Sequence, residues 1–320
     1  MLKLNRILVA TDFSPVSQNA YPFAVELTKK YGGKVDMLHV IPVFKYLNES
    51  VSRLGLPFDM DKDVYPHLIT ESEERLVKEM NQFVPEDLRG KTLARVELKP
   101  SECIIREAAE SNADLIVMGS TGAGGRDILW GSTTEKVVRN SKVPVLAIPS
   151  GFVPKEINNI LVPTDYSELS FNSLRGAASL ASSLVAEITL FHVVELYGSL
   201  SENEAREAGK SELESIKEKL LKRVDMWMQK FPEFSLSLNH SENGLYLISK
   251  RGGTEKSVKL NIVVTKGISA HYEIADYASE HADMIVLTTH GRSGLSHMFL
   301  GSTTEKVVQA TNKPTLTWRP

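Results

Sequence analysis

The sequence contains few of the residues that build disulfides, metal sites or membrane segments. It has one cysteine in 320 residues, Cys103, so no disulfide can close within the chain. No group of Cys and His residues shows the spacing of zinc ligands. The apolar run at residues 7–10 is too short for the core of a signal peptide, and no stretch approaches the roughly 20 apolar residues of a membrane span. These absences predict a cytoplasmic protein without membrane contact.

The charges show no excess of one sign. Lys and Arg number 37 and Asp and Glu number 40, which gives a formal net charge of -3. Nucleic-acid binding requires a dense basic patch, and the sequence shows none, so we expect no nucleic-acid partner. A length of 320 residues suggests two domains, and a hydrophobic content of 42% is ordinary for globular proteins.

Catalytic motifs are also scarce. Lys136 and Lys306 stand well inside a segment that follows a Gly-Ser pair, not at the position of a P-loop lysine, and no G-x-S-x-G elbow occurs. His39 and His192 lie in apolar segments, which favours a structural role over that of a base. The position of Cys103 early in a predicted helix could lower its pKa, but a packed cysteine is the favoured interpretation. The sequence therefore does not indicate a committed enzyme.

Five segments occur twice, in the same order. The octamer GSTTEKVV is identical at residues 131–138 and 301–308. The other pairs are RILVATDFS and NILVPTDYS (6–14 and 159–167), DMLHVIP and TLFHVVE (36–42 and 189–195), ADLIVMGSTG and ADMIVLTTHG (113–122 and 282–291), and KVPVLAI and KPTLTWR (142–148 and 313–319). This order indicates a duplicated domain.

The boundaries of the two copies follow from their spacing. A Pro- and Gly-containing linker at residues 149–158 predicts domains at 1–150 and 157–320. The second copy is longer in its middle, which predicts an insert near 235–259. Its alternating pattern around Asn-Gly and Gly-Gly predicts an extra hairpin or a long loop.

Strand and helix patterns alternate within each copy. Residues 7–10 form a short apolar run, as expected of a strand buried on both faces. Ser14 and Ser167 stand at predicted helix N-caps, Pro15 suits the first helical position, and Gly32 ends the first helix. Alternation of this kind predicts α/β domains with a doubly wound parallel sheet, whose ligands bind at the carboxyl ends of the strands.

Polar and glycine residues collect at those strand ends. The first strand ends at Asp12, and at Asp165 in the second copy. The fourth strand ends in GSTG (119–122) or TTHG (288–291), and a loop then leads to the octamer. A helix N-terminus preceded by glycine attracts anions, so this pattern favours a nucleotide pocket. His290 borders it, and Arg126 and Arg292 flank the loops.

A structural interpretation competes with the nucleotide pocket. Residues 132–135 and 302–305 read as capping boxes, with Ser132 and Ser302 at the cap and a glutamate three positions later. Asp12 and Asp165 could serve only to cap turns. On the residues alone, both interpretations stay open.

The repeated motifs resemble the universal stress protein family in its tandem-domain form. ILVATDFS and ILVPTDYS, LHV and FHV, and the glycine motif carry the resemblance over nearly the whole chain. It implies two Rossmann-like domains with strand order 3-2-1-4-5 and a pseudo-two-fold pairing of the two halves, with a homodimer of chains also possible.

The ATP-binding branch of that family implies the site residues, with ATP or another adenine nucleotide as ligand and Mg²⁺ accompanying a triphosphate. In the first copy they are Ala10, Asp12, Val40, Gly119, Ser120, Gly122, Gly131, Ser132 and Thr133. In the second copy they are Pro163, Asp165, Val193, His290, Gly291, Arg292, Gly301, Ser302 and Thr303. Ala10 and Asp12 are expected near adenine and ribose, Val40 at adenine through its backbone, and the glycines and hydroxyls at ribose and phosphates.

Each copy departs from the family pattern once. Eight residues separate Gly122 from Gly131, where the family has nine. Thr288 replaces the first glycine in the second copy, and we expect its branched side chain to crowd the ribose. Three functions remain open: a nucleotide-dependent stress or signalling protein with protein partners, a scaffold without nucleotide, and a slow ATPase or self-phosphorylating protein that uses the octamer hydroxyls.

Overall fold

The computed structural model describes residues 4–43, 59–120, 131–152, 156–195, 209–251, 253–289 and 302–319. It divides into two compact units, with the boundary between residues 154 and 155. This division separates the repeated segments into two sets.

The first unit is a five-stranded parallel sheet with helices between the strands. Its strands are β1 (Arg6–Thr11), β2 (Lys34–Pro42), β3 (Arg89–Glu97), β4 (Leu115–Gly119) and β5 (Val145–Ile148). Its helices are α1 (Pro15–Gln18), α2 (Ala20–Tyr31), α3 (Tyr65–Phe83), α4 (Pro100–Glu110) and α5 (Ser132–Asn140), with a π-helical turn at Met60–Val64 and a 3₁₀ turn at Glu86–Leu88. The strand order is β3-β2-β1-β4-β5, as expected from the resemblance.

The second unit repeats this plan and adds two strands. Its strands are β6 (Asn159–Pro163), β7 (Glu187–Glu195), β8 (Leu236–Ser241), β9 (Gly244–Arg251), β10 (Thr254–Gly267), β11 (Met284–Thr288) and β12 (Thr315–Trp318). Its helices are α6 (Glu168–Phe171), α7 (Ser173–Leu184), α8 (Gly209–Lys230), α9 (Ala270–His281) and α10 (Ser302–Ala310), with a 3₁₀ turn at Pro232–Phe234. The strand order is β12-β11-β6-β7-β10. If the two hairpin strands are left out and the others are numbered along the second copy, this order is 5-4-1-2-3, the same as in the first unit.

The insert of the second unit forms an antiparallel hairpin. β8 pairs with β9, and the turn between them ends at Gly244, whose φ of 128° favours glycine. β10 is long enough to serve two partners: residues 254–259 pair antiparallel with β9, and residues 260–267 pair parallel with β7. The extra length therefore extends the sheet at its β10 side.

The predicted helix signals are confirmed at the start of each unit. The Ser14 hydroxyl accepts the Ser17 N–H (3.2 Å), and the Ser167 hydroxyl accepts the Ser170 N–H (3.0 Å). Gly32 ends α2 with a φ of 69°. The first helix differs from expectation because it breaks at Asn19 into α1 and α2.

Each sheet is fastened at the start of its first strand by an aspartate. Asp114 accepts the N–H groups of Asn5 (2.7 Å) and Arg6 (3.0 Å). Asp283 accepts those of Asn158 (2.9 Å) and Asn159 (3.0 Å). This contact gives a structural reason for the repeated Ala-Asp before the fourth strand, which the sequence reading had not identified.

The interior of each unit is apolar, and its first and fourth strands are buried throughout most of their length. Among the described residues, no helix combines the length and the apolar character needed to cross a membrane. In both units the first and fourth strands are neighbours, so their carboxyl ends meet at the point where the strand order reverses.

Candidate functional site

The turn after the first strand is built in the same way in both units. Asp12 accepts the N–H (3.0 Å) and the hydroxyl (2.6 Å) of Ser14. Asp165 accepts the same two groups of Ser167, at 3.0 and 2.5 Å. Each serine in turn caps the next helix. The aspartates therefore do organise turns, as the structural interpretation expected, and the turn fixes where each carboxylate lies.

An aromatic residue in the left-handed region follows each aspartate. Phe13 has φ 63° and Tyr166 has φ 66°. A bulky residue rarely adopts this conformation, which costs about 1–3 kcal/mol and is typical of functional sites. Both units have this backbone strain at the same position, so it is a common feature of the turn.

Two histidines support these aromatic rings. His39 Nδ1 donates to the Thr11 carbonyl, and His192 Nδ1 donates to the Thr164 carbonyl, both at 2.8 Å. Their rings lie 4.3 Å from those of Phe13 and Tyr166. Burial lowers the pKa of His39 below its usual 6.5, against the opposing effects of the Thr11 carbonyl and Asp12. The structural role expected for both histidines agrees with these contacts.

An arginine from the long helix closes each turn from the other side. Arg75 on α3 donates to the Phe13 carbonyl (3.2 Å) and lies 4.2 Å from the centre of the Phe13 ring. Arg223 on α8 donates to the Tyr166 carbonyl (3.3 Å) in the same way. Neither arginine was predicted from the sequence, although the equal spacing from Arg75 to Phe83 and from Arg223 to Phe231 is a signal that both copies share.

A buried polar network underlies the turn of the first unit. The Tyr21 hydroxyl is 2.5 Å from Thr11 Oγ1 and donates to Glu79 (2.5 Å), which also accepts from Gln18 (3.0 Å). Burial, followed by Glu79, raises the pKa of Tyr21. In the second unit Leu174 on α7 stands in the place of Tyr21, and Trp227 on α8 stands in the place of Glu79. The residues beneath the turn therefore differ between the two units.

The start of the octamer helix corrects one prediction. Ser132 is not the N-cap: α5 begins at Ser132, and Gly131 occupies the cap position with φ -75° and ψ 147°. No side chain caps α5 among the residues that the structure describes. Glu135 instead pairs with Arg139 (2.7 Å). The capping box fails because the glycine already supplies the extended cap conformation, which leaves Ser132 exposed and outside the cap.

α10 of the second unit starts at the matching residue, Ser302. The cap position before it, Gly301, lies outside the described residues, and so does the side chain of Ser302. The interpretation of residues 302–305 as a capping box therefore stays a prediction.

The third octamer residue after the glycine fastens the helix to the sheet. Thr134 Oγ1 donates to the Gly119 carbonyl, and Thr304 Oγ1 donates to the Thr288 carbonyl, both at 2.9 Å. Both threonines are buried. This contact explains part of the identity between the two octamers without any ligand.

Gly119 has a packing reason of its own. A Cβ at this position would lie 3.2 Å from the Val16 carbonyl oxygen and 3.3 Å from Ser17, both in α1. The glycine therefore allows β4 and α1 to approach closely. The direction of this Cβ is toward the helix, which weakens the argument that Thr288 crowds a ribose; that expectation stays a prediction.

Several predicted site residues meet at one edge of the first sheet. Ala10 pairs with Met118, and the Gly131 N–H donates to the Ser120 carbonyl (2.6 Å), which brings the octamer to the end of β4. Ser120 is 2% exposed, and its hydroxyl has no hydrogen-bond partner in the described part of the chain. Val40 lies on β2, one residue beyond the partner of Thr11.

The remaining predicted residues are only partly described. In the second unit Pro163 ends β6, Asp165 follows it, Val193 lies on β7 and Thr303 lies exposed on α10. The others lie outside the described residues, and they are Gly122, His290, Gly291, Arg292 and Gly301, together with Arg126 and the shortened loop. In the first unit Thr133 is half-buried on α5.

Cys103 is a packed residue. Its side chain is buried in α4, and burial raises the pKa of its thiol to about 11. A thiol with this pKa is protonated at neutral pH and unreactive. The sequence interpretation of a packed cysteine agrees with this environment.

The comparisons with known proteins agree with this architecture. The model of the Universal stress protein family matches residues 3–149 and residues 156–319. A universal stress protein of Methanocaldococcus jannaschii is 30% identical over 144 residues, which cover 45% of this chain and 81% of that protein. One of Synechocystis sp. is 23% identical over 330 residues, covering 99% of this chain and all of that protein.

A solved structure is similar over its full length. A universal stress protein from Archaeoglobus fulgidus has a TM-score of 0.64 and 22% identity, covering 99% of both chains. At this identity the likeness supports the fold, and the two matches to the family model cover almost every residue of this chain. The chain belongs to the universal stress protein family.

Proposed function

We propose that this chain binds an adenine nucleotide, ATP in the first instance, at the carboxyl edge of each sheet, and that the bound state alters its contacts with protein partners in the cytoplasm. The observation that carries the proposal is the start of α5. Gly131 forms the cap without a side-chain bond and is held beside the end of β4 through Ser120. A helix start of this kind attracts a phosphate.

The neighbouring turn supplies a second kind of contact. Asp12 is exposed, and its carboxylate is oriented by the two bonds from Ser14. An oriented carboxylate at the strand ends of a doubly wound sheet can accept hydrogen bonds from ribose hydroxyls. Val40 supplies backbone groups for adenine, and Ser132 and Thr133 supply hydroxyls for phosphate. Mg²⁺ would accompany the triphosphate.

The second unit is proposed to bind in the same manner. Asp165 repeats the oriented carboxylate, and Thr304 fastens α10 to β11 as Thr134 fastens α5 to β4. Gly291, Gly301 and the hydroxyls of Ser302 and Thr303 would meet the phosphates there, with His290 and Arg292 beside them.

A second candidate function is slow phosphoryl transfer. Ser132 is exposed and is not used as a cap. Its hydroxyl is therefore available to accept a phosphoryl group from ATP, or to hold a water molecule that attacks ATP. Phosphate release during incubation with ATP, or phosphate found on residues 132–134, would support this candidate. If neither phosphate release nor phosphorylation is observed within hours at saturating ATP, this candidate is excluded.

The first test asks what the purified protein carries. Precipitating the protein with acid and chromatographing the supernatant should yield adenine nucleotide in proportion to the protein. If no nucleotide is found and added ATP gives no titration signal, the chain is a scaffold that keeps the family fold with non-nucleotide pockets.

A further inference from the structure

Glu79 lies beneath the turn at Asp12 and is not one of the residues assigned to the nucleotide. Its side chain comes from α3 and is 5% exposed. The carboxylate accepts the Tyr21 hydroxyl (2.5 Å) and the Gln18 side-chain amide (3.0 Å), and its Oε1 lies 3.5 Å from Arg75 Nε. A buried carboxylate is costly unless such partners satisfy it. Glu79 is therefore held in one place inside the first unit.

The partners of this carboxylate lead to both neighbours of the aspartate in the turn. The Tyr21 hydroxyl is 2.5 Å from Thr11 Oγ1, which also accepts the Phe13 N–H (2.9 Å). Arg75 donates to the Phe13 carbonyl (3.2 Å) and lies over the Phe13 ring. Thr11 and Phe13 stand directly before and after Asp12. One buried carboxylate thus restrains the backbone on both sides of Asp12.

The second unit lacks this support beneath its own turn. The apolar residues Leu174 and Trp227 take the places of the tyrosine and the glutamate. Arg223 still donates to the Tyr166 carbonyl (3.3 Å), but the matching place on α8 has no carboxylate to hold it. Trp227 is 2% exposed, so an apolar side chain can fill this place in the fold. Packing alone therefore does not explain the glutamate of the first unit.

We propose that Glu79 is a positioning residue that makes the nucleotide site of the first unit selective for the ribose hydroxyls. This inference rests on the function proposed above, in which Asp12 accepts hydrogen bonds from ribose. A carboxylate distinguishes a ligand hydroxyl from its absence best when neighbouring residues hold it in place before the ligand arrives. The second unit, with Leu174 and Trp227 beneath the same turn, binds nucleotide with less preference for these hydroxyls.

The test compares ATP with dideoxy-ATP, which lacks both ribose hydroxyls. Each nucleotide-free full chain carries Gly301→Val, so that only the first site binds, and calorimetric titration gives both affinities. Without a change in the first unit we expect a preference for ATP of about tenfold, the effect of one hydrogen bond to a charged group. Glu79→Leu should reduce this preference to less than about threefold by weakening ATP alone, with the affinity for dideoxy-ATP unchanged.

A second variant uses a pair of residues that already packs in this fold. Tyr21→Leu with Glu79→Trp gives the first unit the residues of the second, and it should lose the preference for ATP as Glu79→Leu does. The matched control is Glu74→Leu, which makes the same exchange at an exposed position of α3 and should keep the preference.

The outcomes separate this inference from the nucleotide site itself. A preference for ATP that persists in both Glu79 variants, or equal weakening of ATP and dideoxy-ATP, would overturn the positioning role and leave the site standing. Equal binding of the two ligands before any change in the first unit would also overturn it. If the wild type binds no ATP, the proposed site and this inference both fail.

Discussion

Thr134 and Thr304 show how one side chain can account for a repeated residue. Each hydroxyl bonds the last carbonyl of the fourth strand at 2.9 Å, and each is buried. Ser132, two positions earlier, is exposed and does not cap its helix. Within the octamer, the buried threonine therefore holds the fold, and Ser132 is exposed where the proposed nucleotide would bind.

The first prediction uses that separation. Thr134→Val keeps the shape but leaves the Gly119 carbonyl without its partner, and it should lower the free energy of unfolding by about 1–2 kcal/mol. Ser132→Ala should change it by less than about 0.5 kcal/mol but should weaken ATP binding. Urea unfolding and ATP titration measure the two effects. If Ser132→Ala destabilises as much as Thr134→Val, the roles are assigned wrongly.

His39 gives a prediction about pH. Its pKa in the folded protein is lower than its usual 6.5, so the unfolded chain binds more protons in that range. Stability from the neutral ring is fully present above pH 6.5 and is lost as the pH falls through the folded pKa. The proton resonances of the His39 ring should therefore titrate below 6.5, and His39→Asn should flatten the stability profile under mildly acidic conditions. Titration above 6.5 would contradict the burial argument.

At the scale of the element, the alternation of strands and helices can be predicted from the sequence because each element has local sequence signals. Buried strands are short apolar runs, Ser14 and Ser167 cap helices through their own hydroxyls, and Gly32 ends one. The hairpin also follows from local turn signals at Gly244. The strand order 3-2-1-4-5 came from the family resemblance, because sheet neighbours are not encoded locally.

The parts of the site that were missed are long-range contacts. Arg75 reaches the Phe13 carbonyl across 62 positions, and Asp114 reaches Arg6 across 108. Neither spacing produces a periodic pattern. The prediction of Ser132 as the cap is wrong because serine and glycine both suit a cap position, and the sequence Gly-Ser does not show which of the two takes the extended conformation.

The strand-start contact allows an element-scale prediction. Asp114→Ala removes two hydrogen bonds that hold β4 to the start of β1, and it should lower the free energy of unfolding by about 1–3 kcal/mol. Asp114→Asn keeps an oxygen acceptor and should cost less. Thermal unfolding of the two variants provides the comparison, and an equal loss in both would show that charge and not acceptor geometry holds the strands.

At the scale of the whole molecule, the chain is two copies of one fold that have diverged. The first copy keeps the Tyr21–Glu79 network and the Arg6–Asp36 pair, whereas the second has Trp227 and Thr189 in place of the two carboxylates. The turns at Asp12 and Asp165 are the same in both. The divergence thus leaves these two turns alike, although Thr288 stands in the second copy where the first has Gly119. The predicted pairing of the two halves and a homodimer of chains stay predictions.

This symmetry predicts the stoichiometry of binding. The wild type should bind two ATP per chain, and Gly131→Val or Gly301→Val alone should leave one, because each glycine serves its own unit. Equilibrium dialysis with labelled ATP counts the sites. Loss of both sites on a single substitution would show that the units do not bind independently.

The most direct measurement of the central claim is a calorimetric titration of ATP into the nucleotide-free chain and into the Gly131→Val, Gly301→Val double variant. We expect saturable binding by the wild type and none by the double variant. Valine also adopts the φ of -75° that Gly131 has, and circular dichroism of the double variant checks that its fold is kept. Saturable binding that survives the double substitution, or its absence from the wild type, would contradict the proposed site.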